Sequence, residues 1–151
     1  MLAVSKKRVR GTGSADLRQA DYARLAQFRY LLRQFLVFSE DAAEQAGLTP
    51  QQHQALLAIK GHAGTDQLTT GELAERLTIR HHSTVGLVDR LAAKGFVRRR
   101  QGPVDRRQVL LDLTPKAEAL LRDLSVAHRD ELKRIGPLLR GLLAEFESGK
   151  P

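Results

Sequence analysis

Five arginines crowd a ten-residue stretch, as Arg98-Arg99-Arg100 and Arg106-Arg107, with Asp105 the one carboxylate among them. Guanidinium groups stay charged and present forked donors that match phosphate oxygens, so this cluster predicts binding to a polyanion. Upstream, His81-His82-Ser83-Thr84 set imidazoles and hydroxyls side by side, with Arg90 beyond them. Such groups can donate or accept hydrogen bonds. Bond-breaking chemistry has no comparable support. The chain has no cysteine, which excludes thiol nucleophiles, disulfides and Cys-metal sites. No Ser-His-Asp set, paired carboxylates or phosphate-binding glycine loop has workable spacing, and Gly11-Thr12-Gly13 is too short and too early for one. Adjacent His81 and His82 cannot both face one ion from a helix, and His53, His62 and His128 lack an i, i+4 partner carboxylate on a helix. The residues predict a binding protein, with no catalytic site, metal or cofactor.

The charge is concentrated where those residues lie. The 151 residues hold 25 Lys and Arg against 17 Asp and Glu, a net charge of +8. Residues 6–10 (Lys6, Lys7, Arg8, Arg10) carry +4 and residues 80–107 carry +6, so the remainder is nearly balanced at −2. Two basic zones on a neutral body favour a nucleic acid. An anionic membrane surface is the rival polyanion, but the central zone is not one long amphipathic helix. No apolar run approaches a membrane span, and the basic first ten residues lack the apolar stretch of a secretory signal. The expectation is a cytoplasmic chain of one domain, residues 16–151, behind a mobile basic arm at residues 1–15.

Rigid supports must aim these side chains, and the periodicities predict a mainly α fold. From about Leu17 to Ala46, Leu25, Phe28, Leu32 and Phe35 recur at helical spacing, giving a helix long enough to serve a partner. Gly47 ends it. Thr49-Pro50-Gln51-Gln52 opens a second helix with a capping box, and Thr69-Thr70-Gly71-Glu72 opens a short third one beyond the loop at Gly61 to Asp66. Thr78-Ile79-Arg80 separates that from a fourth helix over His81–Lys94, stopped by Gly95. Two short helices around a three-residue turn are a helix-turn-helix, whose second helix fits the major groove of duplex DNA. The period then changes to two. Phe96 to Arg100 and Gln108 to Leu113 flank the turn-rich Gln101-Gly102-Pro103-Val104-Asp105 and predict a two-stranded β wing carrying the arginines. Thr114-Pro115 starts a fifth helix, Gly136-Pro137 is expected to break it, and Leu138 to Phe146 form a last one.

These segments resemble the MarR family of bacterial regulators. The likeness rests on Leu73-Ala74-Glu75-Arg76-Leu77, Val88-Asp89-Arg90-Leu91 with Lys94-Gly95-Phe96-Val97, Asp105-Arg106-Arg107 and Leu113-Thr114, and it covers about residues 17–146. The resemblance implies a winged helix-turn-helix at about 48–114 between long dimerisation helices at about 17–46 and 115–146. It implies that His81 to Arg90 form the DNA-recognition helix, with Thr84 and Gly86 inside it. It also implies that Asp105 braces the wing while Arg107 enters the minor groove beside Arg98, Arg99, Arg100 and Arg106. Gly86 stands where the family commonly has an arginine, and Ala117 where it commonly has a glycine. His82 and Ser83, in the first helical turn, are the expected base readers, and Arg90, two turns on, is expected nearer the phosphates.

The apolar positions Leu25, Phe28, Leu32, Phe35, Leu139, Leu142, Leu143 and Phe146 predict a homodimer interface. The resemblance further implies a small anionic aromatic or phenolic effector in a cleft lined by Tyr22, Arg29, Tyr30, Arg33 and His53. The expected protein is a homodimeric repressor on a pseudo-palindromic operator in double-stranded DNA. The alternative is a nonspecific architectural DNA-binding protein using the same basic surface.

Overall fold

The computed structural model describes residues 17–62 and 67–148; the expected arm at 1–15, with Gly11-Thr12-Gly13, and most of the Gly61–Asp66 loop lie outside them. The element order is α1 (Gln19–Gln45), α2 (Pro50–Lys60), α3 (Thr70–Leu77), α4 (His81–Ala93), β1 (Val97–Gln101), β2 (Val109–Leu113) and α5 (Pro115–Glu147). The mainly α winged-helix architecture is therefore as the sequence predicts.

Local signals explain most boundaries. The Thr49, Thr69 and Thr114 hydroxyls accept the N–H groups of Gln52, Glu72 and Ala117, capping α2, α3 and α5. At the first two, the Gln52 and Glu72 side chains accept the threonine N–H in return, at 3.0 and 2.8 Å. α3 ends on Thr78 at φ 56°, a left-handed conformation that a β-branched residue rarely adopts. The Ile79 N–H reaches back to the Ala74 carbonyl at 3.1 Å and locks that turn. α4 ends the same way at Gly95, where φ of +74° meets no steric penalty.

β1 and β2 pair antiparallel, from Val97 opposite Leu113 to Gln101 opposite Val109. The Leu111 N–H also donates to the Leu68 carbonyl at 2.9 Å, tying the wing's root to the segment before α3. One core fills the space between these elements: Leu56 of α2, Leu73 of α3, Leu87, Val88 and Leu91 of α4, Val97 and Leu111 of the wing. Ala43 and Leu48 from the end of α1, and Ala117, Leu121 and Leu124 from the start of α5, root the long helices in it.

Beyond that root α1 and α5 run antiparallel. Ser39 meets His128, and fifteen residues earlier on α1 Arg24 pairs with Glu145 at 2.7 Å. The expected break at Gly136-Pro137 does not occur: α5 is continuous, with Pro137 inside it. Proline removes one ladder hydrogen bond, from its own N to the Lys133 carbonyl, and clashes with the preceding turn. The residue before it normally adds a Cβ clash, but Gly136 has no Cβ. Ile135, 1% exposed, keeps the apolar contact running through the site. The two predicted terminal helices are thus one.

Candidate functional site

α4 presents His81, His82 and Ser83, all exposed, in its first turn. Its N-cap is Arg80, which makes no side-chain cap, so the first-turn amides keep their partial positive charge open to an incoming anion. Thr84 does not join them. It is fully buried, and its hydroxyl donates to the Arg80 carbonyl at 3.1 Å. The reason is the helical period: Thr84, Leu87, Val88 and Leu91 form the stripe that faces the core. Gly86 and Arg90 remain at the outer surface, Gly86 partly covered and Arg90 exposed.

The wing arginines divide into two sets. Arg99 pairs with Asp89 of α4, and Arg100 pairs with Asp112 of β2 at 2.7 Å. Arg98 and Arg106 have no ion pair among the described residues, and the Arg107 side chain is 95% exposed at the tip. Asp105 builds that tip. Its Oδ1 accepts the Arg107 backbone N–H at 2.9 Å and lies 3.7 Å from the Arg107 Nε. Its carbonyl accepts the Gln108 N–H at 3.1 Å and comes so close to Gly102 that a Cβ there would sit 2.5 Å away. The hairpin is therefore braced by the carboxylate while its cations point outward, and exposed pairs of this kind are worth at most about 1 kcal/mol.

The apolar dimer set lies on the long helices. Leu25, Leu32, Leu143 and Phe146 are exposed, whereas Phe28, Phe35, Leu139 and Leu142 are half-buried. Phe35 turns inward and meets the His128 ring edge-on, with centroids 5.9 Å apart.

There it walls a cavity of about 730 Å³ between α1, α2 and α5, lined also by His53, Leu57, His128, Arg129, Lys133, Pro137 and Arg140. Of the five residues expected in such a cleft, only His53 lines it; Tyr30 and Arg33 border a separate groove, and Tyr22 and Arg29 are exposed elsewhere on α1. At roughly 100° per residue, these four sit about 120–160° around α1 from Phe35. The cations instead come from α5, where Arg129, Lys133 and Arg140 fall within about 40° of one another around the helix and line the same cavity as His128. A break at Gly136-Pro137 would divide that set between two helices, and the continuity of α5 keeps it together.

His128 and His53 form the cavity's polar floor, their rings 4.8 Å apart. The His128 Nδ1 lies 2.7 Å from the Leu124 carbonyl, which can only accept, so Nδ1 carries a proton. Its Nε2 meets the Ser39 hydroxyl at 2.8 Å. Burial, reinforced by the neighbouring His128, holds the His53 pKa below its ordinary value and favours a neutral ring. Among the described residues no three His, Asp or Glu side chains could hold a metal ion, and no helix is long and apolar enough to cross a membrane.

A helix-turn-helix followed by a carboxylate-braced arginine hairpin, carried between two long antiparallel helices, defines a winged helix-turn-helix protein. Residues 46–108 match the sequence model described as MarR family. The chain is similar to the HTH-type transcriptional repressor NicR of Pseudomonas putida, 31% identical over 113 residues, 72% of this chain and 69% of NicR. It is 36% identical over 88 residues to the HTH-type transcriptional regulator YfiV of Bacillus subtilis, 58% of this chain and 53% of YfiV. The chain therefore spans only about half the length of YfiV. Among solved structures, the transcriptional repressor CouR bound to a 23-mer DNA duplex matches with a TM-score of 0.60 at 27% identity, over 87% of this chain and 90% of CouR. The chain belongs to the MarR family.

Proposed function

We propose that the chain is a sequence-specific double-stranded DNA-binding transcriptional regulator, a homodimeric repressor on a pseudo-palindromic operator. The observation that carries this reading is the exposed first turn of α4 beside a wing whose Arg98, Arg106 and Arg107 point outward without strong partners. A helix of that exposure reads base edges in the major groove, and a tip arginine suits the narrow minor groove. Two copies joined through α1 and α5 would set half-sites about one helical turn, near 34–36 Å, apart. The cavity supports the effector half of the reading. Its apolar walls suit an aromatic body, and Arg129, Lys133 and Arg140 suit an anionic group beside the His53–His128 floor. A small anionic aromatic or phenolic molecule seated there would release the operator by changing how the two recognition helices are held. The test is selection from random duplex, followed by titration against the winning site and a scrambled duplex at one salt concentration. A preference of 10³-fold or more is expected. Comparable affinity for both duplexes would favour the architectural alternative.

A further inference from the structure

Recognition along α4 does not end with its first turn. Gly86 lies one helical turn after His82 and one turn before Arg90, so the three share a face of the helix. Gly86 leaves that face bare at its middle, and a glycine inside a helix costs about 1 kcal/mol relative to alanine. The Arg90 side chain fills the gap. Its Nη1 lies 3.5 Å from the position a Cβ on residue 86 would take, so the guanidinium reaches forward over the previous turn. Long helical side chains naturally run in that direction, toward the N-terminus. The one adjacent carboxylate, Asp89, is held by Arg99 of the wing, and Arg90 has no ion-pair partner among the described residues. A free guanidinium is thereby carried from the expected phosphate position toward the part of α4 that meets bases.

We propose that Gly86 and Arg90 act as one reading unit: the missing side chain at 86 is the seat from which the Arg90 guanidinium binds a guanine in each half-site. The fork of an arginine matches the O6 and N7 acceptors of guanine in the major groove, a pairing that discriminates strongly against other bases. The inference rests on the DNA-regulator reading above and deepens it. Gly86 specifies contact by absence, because any large residue there would take the space that Arg90 uses.

The experiment selects preferred sequences from random duplex for the wild type, Arg90→Ala, Gly86→Ala and Gly86→Leu, with thermal melts to verify folding. The wild type should enrich a G·C pair at one fixed position of each half-site. Arg90→Ala should lose that preference, with about tenfold or greater loss on the selected operator and far less on scrambled duplex. Gly86→Leu should lose the same base preference while melting no lower than the wild type, since leucine favours the helix and occupies the seat. Gly86→Ala should keep the preference, because 3.5 Å is an ordinary contact distance for a methyl group. Equal losses on both duplexes for Arg90→Ala would make Arg90 a phosphate clamp and overturn the inference. So would an unchanged base preference in a folded Gly86→Leu. A wild type that enriches no sequence overturns the regulator reading, and this inference with it.

Discussion

Within the winged-helix body, Leu56, Leu73, Leu87, Leu91 and Leu111 are at most 1% exposed; on the long helices, Leu25, Tyr30, Leu138 and Leu143 are 46–56% exposed. Both regions are rich in leucine, and six of the seven Phe and Tyr residues lie on the long helices, yet only the body closes its leucines away from solvent. It can do so because three short helices and a hairpin surround their leucines from several directions. Two antiparallel helices have one contact line, and the remaining faces of each look outward. The body, completed by the roots of α1 and α5, is thus a closed unit whose polar surface carries the wing cations. The arms are an incomplete unit whose apolar surface the proposed dimer covers, and whose inner side holds a cavity.

Substitutions at matched leucines should separate the two regions most sharply. Leu91→Ala, in the closed body, is expected to lower the unfolding free energy by about 2–5 kcal/mol in urea titrations, through lost burial and the cavity left behind. Leu25→Glu combined with Leu143→Glu, on the open arms, should leave helix content intact but convert dimers of the 16.8 kDa chain into monomers in sedimentation. Persisting dimers in that double variant would break the contrast.

The cavity between the regions predicts a pH effect. His53 has a lowered pKa in the folded chain and an ordinary one, about 6.5, when unfolded. Below about 6.5 the unfolded chain therefore binds more protons than the folded one, so stability falls as the pH drops toward the lowered folded value. Chemical denaturation at pH 7.5 and 5.5 should show this loss for the wild type and a smaller one for His53→Leu. An equal loss in both proteins would remove His53 from the account.

Smaller effects distinguish the cations of the two regions. Arg107→Ala, at the wing tip, should make the salt dependence of duplex binding shallower by about one phosphate equivalent. Arg140→Ala, at the cavity, should leave that slope unchanged. The smallest expected effect lies in the turn between α3 and α4. Thr78→Gly should raise stability by up to about 1 kcal/mol in thermal melts, because the left-handed backbone strains threonine and not glycine.

Much of the body is legible in the sequence because its signals are local. Thr49 with Gln52 and Thr69 with Glu72 announce two helix starts, Gly95 announces a stop, and the alternation of Val109, Leu111 and Leu113 announces a strand. The arms depend on pairings that local signals do not contain. Pro137 reads as a break until Gly136 and the burial of Ile135 are weighed together. The cavity face of α1 depends on which side of a long helix α5 covers, and Phe35 shows it only once the helices are paired. Within the body, Thr84 departs from the expected surface position for a different reason: its hydroxyl suggests a surface, while its period sets it in line with Leu87, Val88 and Leu91. For a short side chain able to bond its own helix, position decides and polarity does not.

Gln52 and His53 are consecutive residues in the first turn of α2, and they look in different directions. The His53 ring stands in the cavity floor. The Gln52 side-chain Oε1 accepts the Thr49 N–H and also faces the Lys94 ammonium at 3.5 Å, and that ammonium reaches the Gly47 backbone carbonyl at 3.2 Å. Lys94 is the C-terminal cap of α4, and its own carbonyl accepts from Lys116 at the start of α5. A single turn of backbone therefore joins the cavity floor to the contacts at the C-terminal end of α4. A displacement of that turn by a fraction of an ångström acts on a helix about 20 Å long at 1.5 Å per residue, and the lever is longest at the far end, where His81 and His82 project.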